Sequence, residues 1–531
     1  MGESVAIIGA GIGGLTSAAL LAARGFRVTV LEKEAAVGGK ARQVDIDGAP
    51  VAGGPTVFTM RDVFDAVFAE CGTALEDHLK IEKADVIARH AWDESGTLDL
   101  FADPARSEEA IGDFAGAEEA AAYRAFGAEA KRIFEVLDEP FMRGDAASTP
   151  FPMMWRMGIW RIGDAMAMRP FDNFWTALGG HFKDPRLHQL FGRYSTYCGS
   201  DPFQSQATLM LIAHLEAEGV WLIDGGIHAL ARALADVAQR SGAAIRTNAR
   251  VAQILTDNAR VSGVRLTTGD TIRADTVICN ADPAAIARGK FGETSATSVT
   301  RMADTKRSMS ALVWYAHTET RGFDLQHHNV FFSPDYAREF REIASGNPPS
   351  DPTVYLCAQD RSARAPKDRA SGSASASTPA SGQRERIQMI VNAPPNGDSH
   401  KYTPEEIETC NQAMRRTLRR CGLTLEDPMP HTLMTPREWE GLFPATGGAL
   451  YGRASHGWAA SFQRQGPRTK IPGLYCAGGG THPSAGVPMA ALSGQLAAKV
   501  ICADRASMRR SRPVATHGGI STRSAKTGST A

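Results

Sequence analysis

The chain has 531 residues, and its 58 basic residues balance 58 acidic ones. A balanced chain carries no excess positive charge with which to neutralise phosphates, so the composition argues against a nucleic-acid partner. At roughly 150 residues per domain, the length predicts at least two domains.

The eight cysteines are scattered along the sequence. They include no C-x-x-C pair and no Cys/His cluster at ligand spacing, so they predict no metal site and a reduced, cytoplasmic compartment. No basic segment precedes the first apolar stretch, and no stretch approaches the ~18 apolar residues of a membrane span. We therefore expect neither a signal peptide nor a transmembrane helix.

The opening of the chain predicts a β-α-β unit: a strand in SVAIIGAG, a helix in TSAALLAARG and a second strand in RVTVLEK. GAGIGG, between the first strand and the helix, fits the G-x-G-x-x-G pattern through Gly9, Gly11 and Gly14, with Gly13 beside them. Such a turn admits a pyrophosphate to the helix N-terminus, where free N–H groups and the dipole favour an anion. Glu32 ends the second strand 18 residues after Gly14, near the ~20-residue spacing that places a carboxylate on an adenosine ribose. These residues alone leave FAD, NAD or a lost cofactor as alternatives.

The pattern from about Phe64 to Glu218 is mostly helical. Alternation then resumes with a helix in GIHALARALADVAQRSG, a strand in AAIRTNARVAQILTDN, its hairpin partner in RVSGVRLTTG and a buried strand in TIRADTVICNADP. The last of these is predicted to return to the nucleotide-binding sheet.

Two segments have the composition of disordered chain. Residues 361–386 are rich in Ser, Ala and charge, and they lie between the strand-like segments TVYLCAQ and IQMIVNAP. The tail beyond residue 503 is similar in composition. We predict a disordered insertion and a disordered C-terminal tail.

Three further motifs resemble the flavin amine oxidase and carotenoid desaturase superfamily: KEAAVGGKARQV, AGGPTVFT, and RTKIPGLYCAGGGTHPSAGVPMAALSG near the C-terminus. DPRL, GSDPF and GVWLIDGG extend the resemblance, which runs from Val5 to about Ile501. It implies FAD as cofactor and an α/β fold. The parts of that fold are a discontinuous flavin-binding Rossmann-like domain (1–75, 219–300 and 465–503), a helical membrane-facing region (76–218) and an α+β substrate domain (301–464), with a disordered tail (504–531).

The resemblance and the glycine pattern together assign the cofactor-binding residues. They are Gly9, Gly11, Gly13, Gly14, Glu32, Lys33, Gly38, Gly39, Lys40, Arg42, Gly54, Pro55, Thr56, Val251, Gly479, Gly480, Val487, Pro488 and Met489. Arg42 is also interpretable as a solvated loop charge, and Val251 as a core strand valine. Gly479 stands where many relatives carry Asp or Glu. His482, in the turn GTHP, is interpretable as a turn-structuring residue, so no catalytic residue is assigned.

Within the superfamily, the C-terminal segment most resembles desaturases that act on 1-hydroxy or 1-methoxy carotenoids in purple photosynthetic bacteria. That implies formation of the C3–C4 double bond by hydride transfer to flavin N5 and proton loss, with a lipophilic carotenoid as substrate and an unidentified electron acceptor. The alternatives are a phytoene desaturase or another carotenoid desaturase of the same fold. From another class, the alternative is a non-catalytic binding protein similar to Rab GDP-dissociation inhibitors.

FPMMWRMGIWRIGDAMAMRPFDNFWTALGGHF interleaves methionines with aromatic and basic residues, including Trp155, Arg156, Trp160, Arg161, Arg169 and Trp175. Such a mixture predicts an interfacial helix pair, peripheral to the inner or photosynthetic membrane, through which the substrate enters. A helical core with exposed arginines is the alternative.

Overall fold

The computed structural model describes residues 3–93, 96–145, 169, 171–361, 383–457 and 459–510. The strands of these residues, in chain order, are β1 (Ser4–Ile8), β2 (Arg27–Leu31), β3 (Arg42–Ile46), β4 (Ala49–Gly53), β5 (Ile81–Lys83), β6 (Val86–Ala91), β7 (Thr97–Phe101), β8 (Trp221–Ile223), β9 (Ala244–Arg246), β10 (Val251–Asp257), β11 (Arg260–Leu266), β12 (Thr271–Arg273), β13 (Thr276–Cys279), β14 (Ser310–Thr318), β15 (Thr320–Arg321), β16 (His328–Phe331), β17 (Val354–Ala358), β18 (Glu385–Ala393), β19 (Thr424–Leu425), β20 (His431–Met434) and β21 (Leu474–Cys476).

The α-helices of the same residues are α1 (Ile12–Ala23), α2 (Arg61–Glu70), α3 (Pro104–Ala115), α4 (Ala117–Leu137), α5 (Phe174–Gly179), α6 (Pro185–Gly192), α7 (Leu211–Glu218), α8 (Gly226–Arg240), α9 (Pro283–Ala287), α10 (Glu293–Ala296), α11 (Tyr336–Ala344), α12 (Pro404–Arg420), α13 (Pro436–Leu442) and α14 (Val487–Arg510).

A five-stranded parallel sheet in the order β21-β13-β1-β2-β9 forms the centre of the fold. Strands β1, β13 and β21 are almost wholly apolar and buried, as expected of a parallel sheet covered by helices. Because all five strands run the same way, the residues after β1, β2, β13 and β21 meet at one edge. The predicted β-α-β opening and the mixed α/β fold class are confirmed.

Two segments that the sequence predicted as single strands are each divided. TIRADTVICNADP forms β12 in the antiparallel sheet and β13 in the parallel sheet. AAIRTNARVAQILTDN forms β9 in the parallel sheet and β10 in a separate antiparallel sheet, β10-β11-β12. Asn248, at φ 52°, makes the turn between them, and the N–H groups of Asn248 and Ala249 donate to the carbonyls of Glu34 (3.0 Å) and Glu32 (2.7 Å). Contacts with the end of β2 therefore divide the segment into two strands. These are tertiary contacts, which the alternation of polar and apolar residues within the segment does not encode.

A seven-stranded sheet in the order β20-β14-β18-β17-β16-β6-β7 forms the second layer. TVYLCAQ and IQMIVNAP form strands, as predicted, and these strands, β17 and β18, are antiparallel neighbours in this sheet. The strands β6 and β7, in contrast, come from the stretch predicted to be mostly helical, and β6 pairs in parallel with β16. Pairing with a strand some 240 residues away decides their conformation, so local periodicity could not reveal it.

The insertion predicted as residues 361–386 is too long at its C-terminal end, because β18 begins at Glu385. Residues 362–382 lie outside the described residues. The Arg361 guanidinium pairs with the Glu385 carboxylate at 2.8 Å, with the two side chains only 10% and 1% exposed. Because this ion pair and the β17–β18 ladder join the flanks directly, deletion of residues 365–382 should leave folding and activity intact. Soluble yield and FAD absorbance per chain measure this. A large loss of soluble protein would show that the segment has a structural role.

Helix α14 continues to Arg510, well into the stretch predicted as a tail. Asp504 accepts hydrogen bonds from Tyr475 (2.9 Å) and Arg468 (2.8 Å), and the Arg505 guanidinium lies 4.6 Å from the Phe26 ring centroid. These contacts stabilise α14 beyond the part of the helix whose sequence is apolar. Residues 511–531 lie outside the described residues.

The predicted interfacial segment falls mostly on residues 146–168 and 170, outside the described part of the chain. Trp175, which is described, lies in α5, and its ring stacks on His188 with centroids 4.0 Å apart. Within the described residues, no helix is both long and apolar enough to cross a bilayer.

Candidate functional site

The loop between β1 and α1 brings backbone N–H groups to the edge of the parallel sheet. Gly9 adopts φ +93°, and Gly11 precedes the helix without a side-chain cap. A Cβ atom at Gly14 would lie 2.3 Å from the Gly9 carbonyl oxygen, so the first turn of α1 packs directly on the end of β1. The first N–H groups of a helix have no partner within the helix, so they are available to an anion here.

Helix α14 crosses α1 at glycines, with backbone against backbone. A Cβ atom at Gly13 would lie 2.8 Å from the backbone nitrogen of Gly478, and one at Gly494 would lie 2.4 Å from the Gly13 carbonyl oxygen. This close approach places the beginnings of α1 and α14 at the same edge of the sheet. The two glycine-rich motifs, more than 450 residues apart in sequence, therefore form one site.

Glu32 lies buried directly after β2, with 5% of its surface exposed. Its Oε2 accepts from the Ala10 N–H inside the glycine loop (2.7 Å), and its Oε1 accepts from the Glu34 N–H (3.0 Å). Each carboxylate oxygen keeps a second lone pair, which suits the hydroxyls of a ribose. Lys33 instead pairs with Glu34 at 3.0 Å, and Val251 packs in the apolar cluster that contains Leu31.

The G-G-K segment lies against the same loop. The Gly38 N–H donates to the Ala10 carbonyl at 2.8 Å, and a Cβ atom at Gly39 would lie 3.3 Å from the Gly11 Cα. The Lys40 ammonium donates to the Leu450 carbonyl, and its charge interacts with that of Asp282. Burial lowers the pKa of Lys40.

Two more assigned segments flank this loop. Arg42 begins β3 and pairs with Gly53 of β4. Gly54 needs to be glycine, because its φ is +89° and a Cβ atom would lie 1.8 Å from the Lys40 carbonyl oxygen. Thr56, two residues on and after Pro55, has its hydroxyl 2.7 Å from the Tyr355 hydroxyl of β17. This turn therefore joins the glycine loop to the seven-stranded sheet.

Gly479 faces open space, since a Cβ atom there would meet nothing within 4 Å. At Gly480, by contrast, a Cβ atom would lie 2.5 Å from the Asp282 Oδ2. That oxygen is buried and has no hydrogen-bond partner among the described residues, an arrangement that costs stability unless a ligand satisfies it. Asp282 thus places a carboxylate beside the position at which many relatives carry an acid.

Asp282 and Asn280 were missed by the sequence reasoning. Asn280 donates to the Gly9 carbonyl at 3.3 Å, and a Cβ atom at Gly11 would lie 2.9 Å from its amide nitrogen. The available signal was their position in ICNADP, directly after β13, because residues that follow parallel strands collect at the ligand-binding edge.

His482 is held by the loop around it. Its Nε2 lies 3.1 Å from the Gly144 carbonyl, and its ring meets Phe141 edge-on with centroids 5.0 Å apart. The side chain is 2% exposed. These contacts agree with a turn-structuring role, while Val487, Pro488 and Met489 form the first turn of α14 nearby.

Comparison with known proteins identifies the family. The sequence profile of flavin containing amine oxidoreductases matches residues 12–502. The chain belongs to this family. Among curated proteins it is 47% identical over 527 residues to a hydroxyneurosporene desaturase of Rubrivivax gelatinosus, covering 99% of this chain and 98% of that protein. A hydroxyneurosporene desaturase of Rhodobacter capsulatus is 42% identical, with 95% and 98% covered.

Among solved structures, an oxidoreductase from Methanosarcina mazei shares the fold. The TM-score is 0.56 at 16% identity, with 94% of this chain and 99% of that chain covered. The flavin cofactor and the oxidoreductase class predicted from the sequence are therefore confirmed. A flavin-free binding protein is not supported.

The described residues fit FAD. Two helix N-termini meet at one edge, Glu32 lies beside the first, and open space at Gly479 adjoins the unpartnered Asp282 oxygen. A dinucleotide that carries hydroxyl groups between its two ends needs an acceptor there, such as the Asp282 oxygen.

Proposed function

We propose that the chain is an FAD-dependent carotenoid desaturase that introduces the C3–C4 double bond into acyclic 1-hydroxy or 1-methoxy carotenoids. The observation that carries this is the 47% identity to a hydroxyneurosporene desaturase over 99% of the chain. Identity to a phytoene dehydrogenase of Streptomyces griseus, over a similar share of the chain, is 29%. FAD, when bound, supplies the two-electron acceptor for this reaction.

Different residues at the sheet edge bind different parts of the cofactor. N–H groups at the start of α1 bind the diphosphate, and Glu32 binds the adenosine ribose. Asp282 accepts from the hydroxyls of the ribityl chain, beside Gly479 and Gly480. The start of α14, at Val487 to Met489, places its positive dipole end where negative charge accumulates on two-electron reduction.

The substrate itself lowers the demand on the protein. A C4 hydrogen is allylic to the polyene, so its removal as hydride leaves positive charge delocalised along conjugated carbons. The C3 proton is then strongly acidic, and a strong general base is not needed. This chemistry suits a site in which His482 is hydrogen-bonded to a backbone carbonyl.

The substrate is insoluble in water, so the enzyme must meet it at a lipid surface. We place the protein peripherally on the cytoplasmic side of the inner or photosynthetic membrane. The aromatic and basic residues of the segment around Trp155 and Trp160, outside the described residues, suit an interfacial position.

The substrate assignment predicts a clear difference between two pigments. The protein with FAD in lipid vesicles should shift the absorption of 1-hydroxyneurosporene to longer wavelength and leave phytoene colourless, because a longer polyene stabilises the cation better. Vesicles without FAD serve as the control. Colour developing from phytoene, with the hydroxylated substrate unchanged, would favour a phytoene desaturase instead.

A further inference from the structure

A cationic side chain lies deep in the fold between the two segments that flank the flavin site. Arg193 begins the short helical turn Arg193–Cys198. Its guanidinium carbon lies 5.4 Å from the ring centroid of Tyr355, whose hydroxyl contacts Thr56 at 2.7 Å. At the other end of the turn, the Cys198 thiol lies 4.0 Å from the Ser484 hydroxyl, three residues before α14. The turn that Arg193 begins therefore lies between the segment of Thr56 and the loop before α14.

The guanidinium lacks a carboxylate partner. None of the ion pairs formed by the described residues includes Arg193, and its nearest polar neighbour is Tyr197, over whose ring it lies at 5.3 Å. Glu216, the carboxylate closest to it, is occupied by the hydroxyls of Tyr194 (2.8 Å) and Tyr197. The guanidinium donates a hydrogen bond to Tyr197 and otherwise lies among aromatic rings, where a desolvated charge gains from an added acceptor.

Two buried polar atoms near the guanidinium also have no hydrogen-bond partner among the described residues. They are the Nε2 of His328 and the hydroxyl of Tyr336, in side chains 2% and 7% exposed. Burial and the neighbouring His327 lower the pKa of His328, and the Arg193 charge lowers it further. Burial raises the pKa of Tyr336, and the Arg193 charge opposes that rise. Unsatisfied buried polar atoms around a buried cation indicate that a polar ligand group belongs there.

Arg193 and the residues around it are not fully packed. The fold surrounds them, yet Arg193, Tyr197, Tyr451, Thr56 and Ser484 each keep a partly accessible surface.

The geometry of the substrate places its oxygen close to the reacting carbons. Two carbon–carbon bonds of about 1.5 Å separate C1 from C3, so the oxygen on C1 lies within about 5 Å of the reacting carbons. The group that binds this oxygen must consequently lie near the segments that hold the flavin, and Arg193 lies over the ring of Tyr355, the hydrogen-bond partner of Thr56. An arginine offers donors alone, and these suit both a hydroxyl and a methoxy oxygen but no hydrocarbon end.

We propose that Arg193 donates hydrogen bonds to the C1 oxygen of the substrate and thereby selects oxygenated chain ends over hydrocarbon ends. This specificity role rests on the proposed function. The partners of the oxygen are the guanidinium and, for a hydroxyl proton, the free Nε2 of His328.

The test compares three ligands on the FAD-loaded enzyme: 1-hydroxyneurosporene, 1-methoxyneurosporene and neurosporene. Wild type should bind the two oxygenated ligands about 10- to 100-fold more tightly than neurosporene, as expected for a hydrogen bond to a charged group. Arg193→Gln should lose most of that preference, with the dissociation constant for neurosporene unchanged. Arg341→Gln, which alters a side chain 67% exposed, is the matched control and should behave as wild type.

A preference that survives in Arg193→Gln, or equal weakening for all three ligands, would overturn the proposal. If Arg193→Gln does not retain FAD, Arg193→Lys is measured instead. Weaker binding of the two oxygenated ligands, with unchanged binding of neurosporene, supports the role. Unchanged binding of all three ligands refutes it. Desaturation of 1-hydroxyneurosporene by wild type is measured in parallel, so that failure of the proposed function is seen separately, in the unmodified enzyme.

Discussion

Replacement of Gly14 by alanine is expected to weaken FAD binding by about 10- to 100-fold. The added methyl group overpacks the anion-binding turn, which destabilises it by about 1–3 kcal/mol. The added Cβ atom would lie 2.3 Å from the Gly9 carbonyl oxygen, a backbone atom that cannot rotate away. Strand β1 and helix α1 must then separate, which moves the N–H groups of the loop. Titration of the apoprotein with FAD, followed by flavin fluorescence, measures the effect.

Gly127→Ala is the matched control for that change. Gly127 lies within α4, and a Cβ atom there would meet nothing within 4 Å. This substitution should leave FAD binding unchanged and raise the free energy of unfolding by about 0.5–1 kcal/mol, because alanine favours the helix over glycine. Full FAD affinity in Gly14→Ala would show that the loop adapts and that the close packing is not required.

Glu32→Ala is expected to raise the FAD dissociation constant by about 10- to 100-fold, corresponding to a lost hydrogen bond to a charged group of about 1.5–3 kcal/mol. The variant also leaves the Ala10 and Glu34 N–H groups without their present acceptor. Glu32→Gln keeps an acceptor for one of them, so its effect should be smaller. The same fluorescence titration compares the two variants.

Glu34→Gln controls for the loss of a carboxylate at this edge. Its side chain is 41% exposed and pairs with Lys33, so FAD affinity should not change. An unchanged dissociation constant in Glu32→Ala would place the ribose elsewhere. NADH bound by the wild-type protein as tightly as FAD would contradict the choice of cofactor.

Local patterns were sufficient for the elements that begin the fold. The spacing of Gly9, Gly11 and Gly14 between an apolar strand and a small-residue helix predicted the β-α-β unit, and the structure contains it. Such features depend on neighbours a few residues apart, where backbone conformation and helix periodicity are already encoded. The motif at the C-terminus was recognised for the same reason.

Contacts between distant segments could not be predicted in this way. Asp282 lies beside Gly480 because β13 pairs in parallel with both β1 and β21. Strands β6 and β7 exist because β6 pairs with β16.

The sequence by itself determined the glycine turns, the acidic residue after β2 and the helix starts, since each is a property of a short stretch of chain. The tertiary structure alone decided which side chains from distant segments meet: Thr56 contacts Tyr355, Arg193 lies over the Tyr355 ring, and Ser484 contacts the Cys198 thiol. Their proximity follows from how the seven-stranded sheet packs on the helices, and that packing is set by the apolar surface buried over the whole fold rather than by any local pattern.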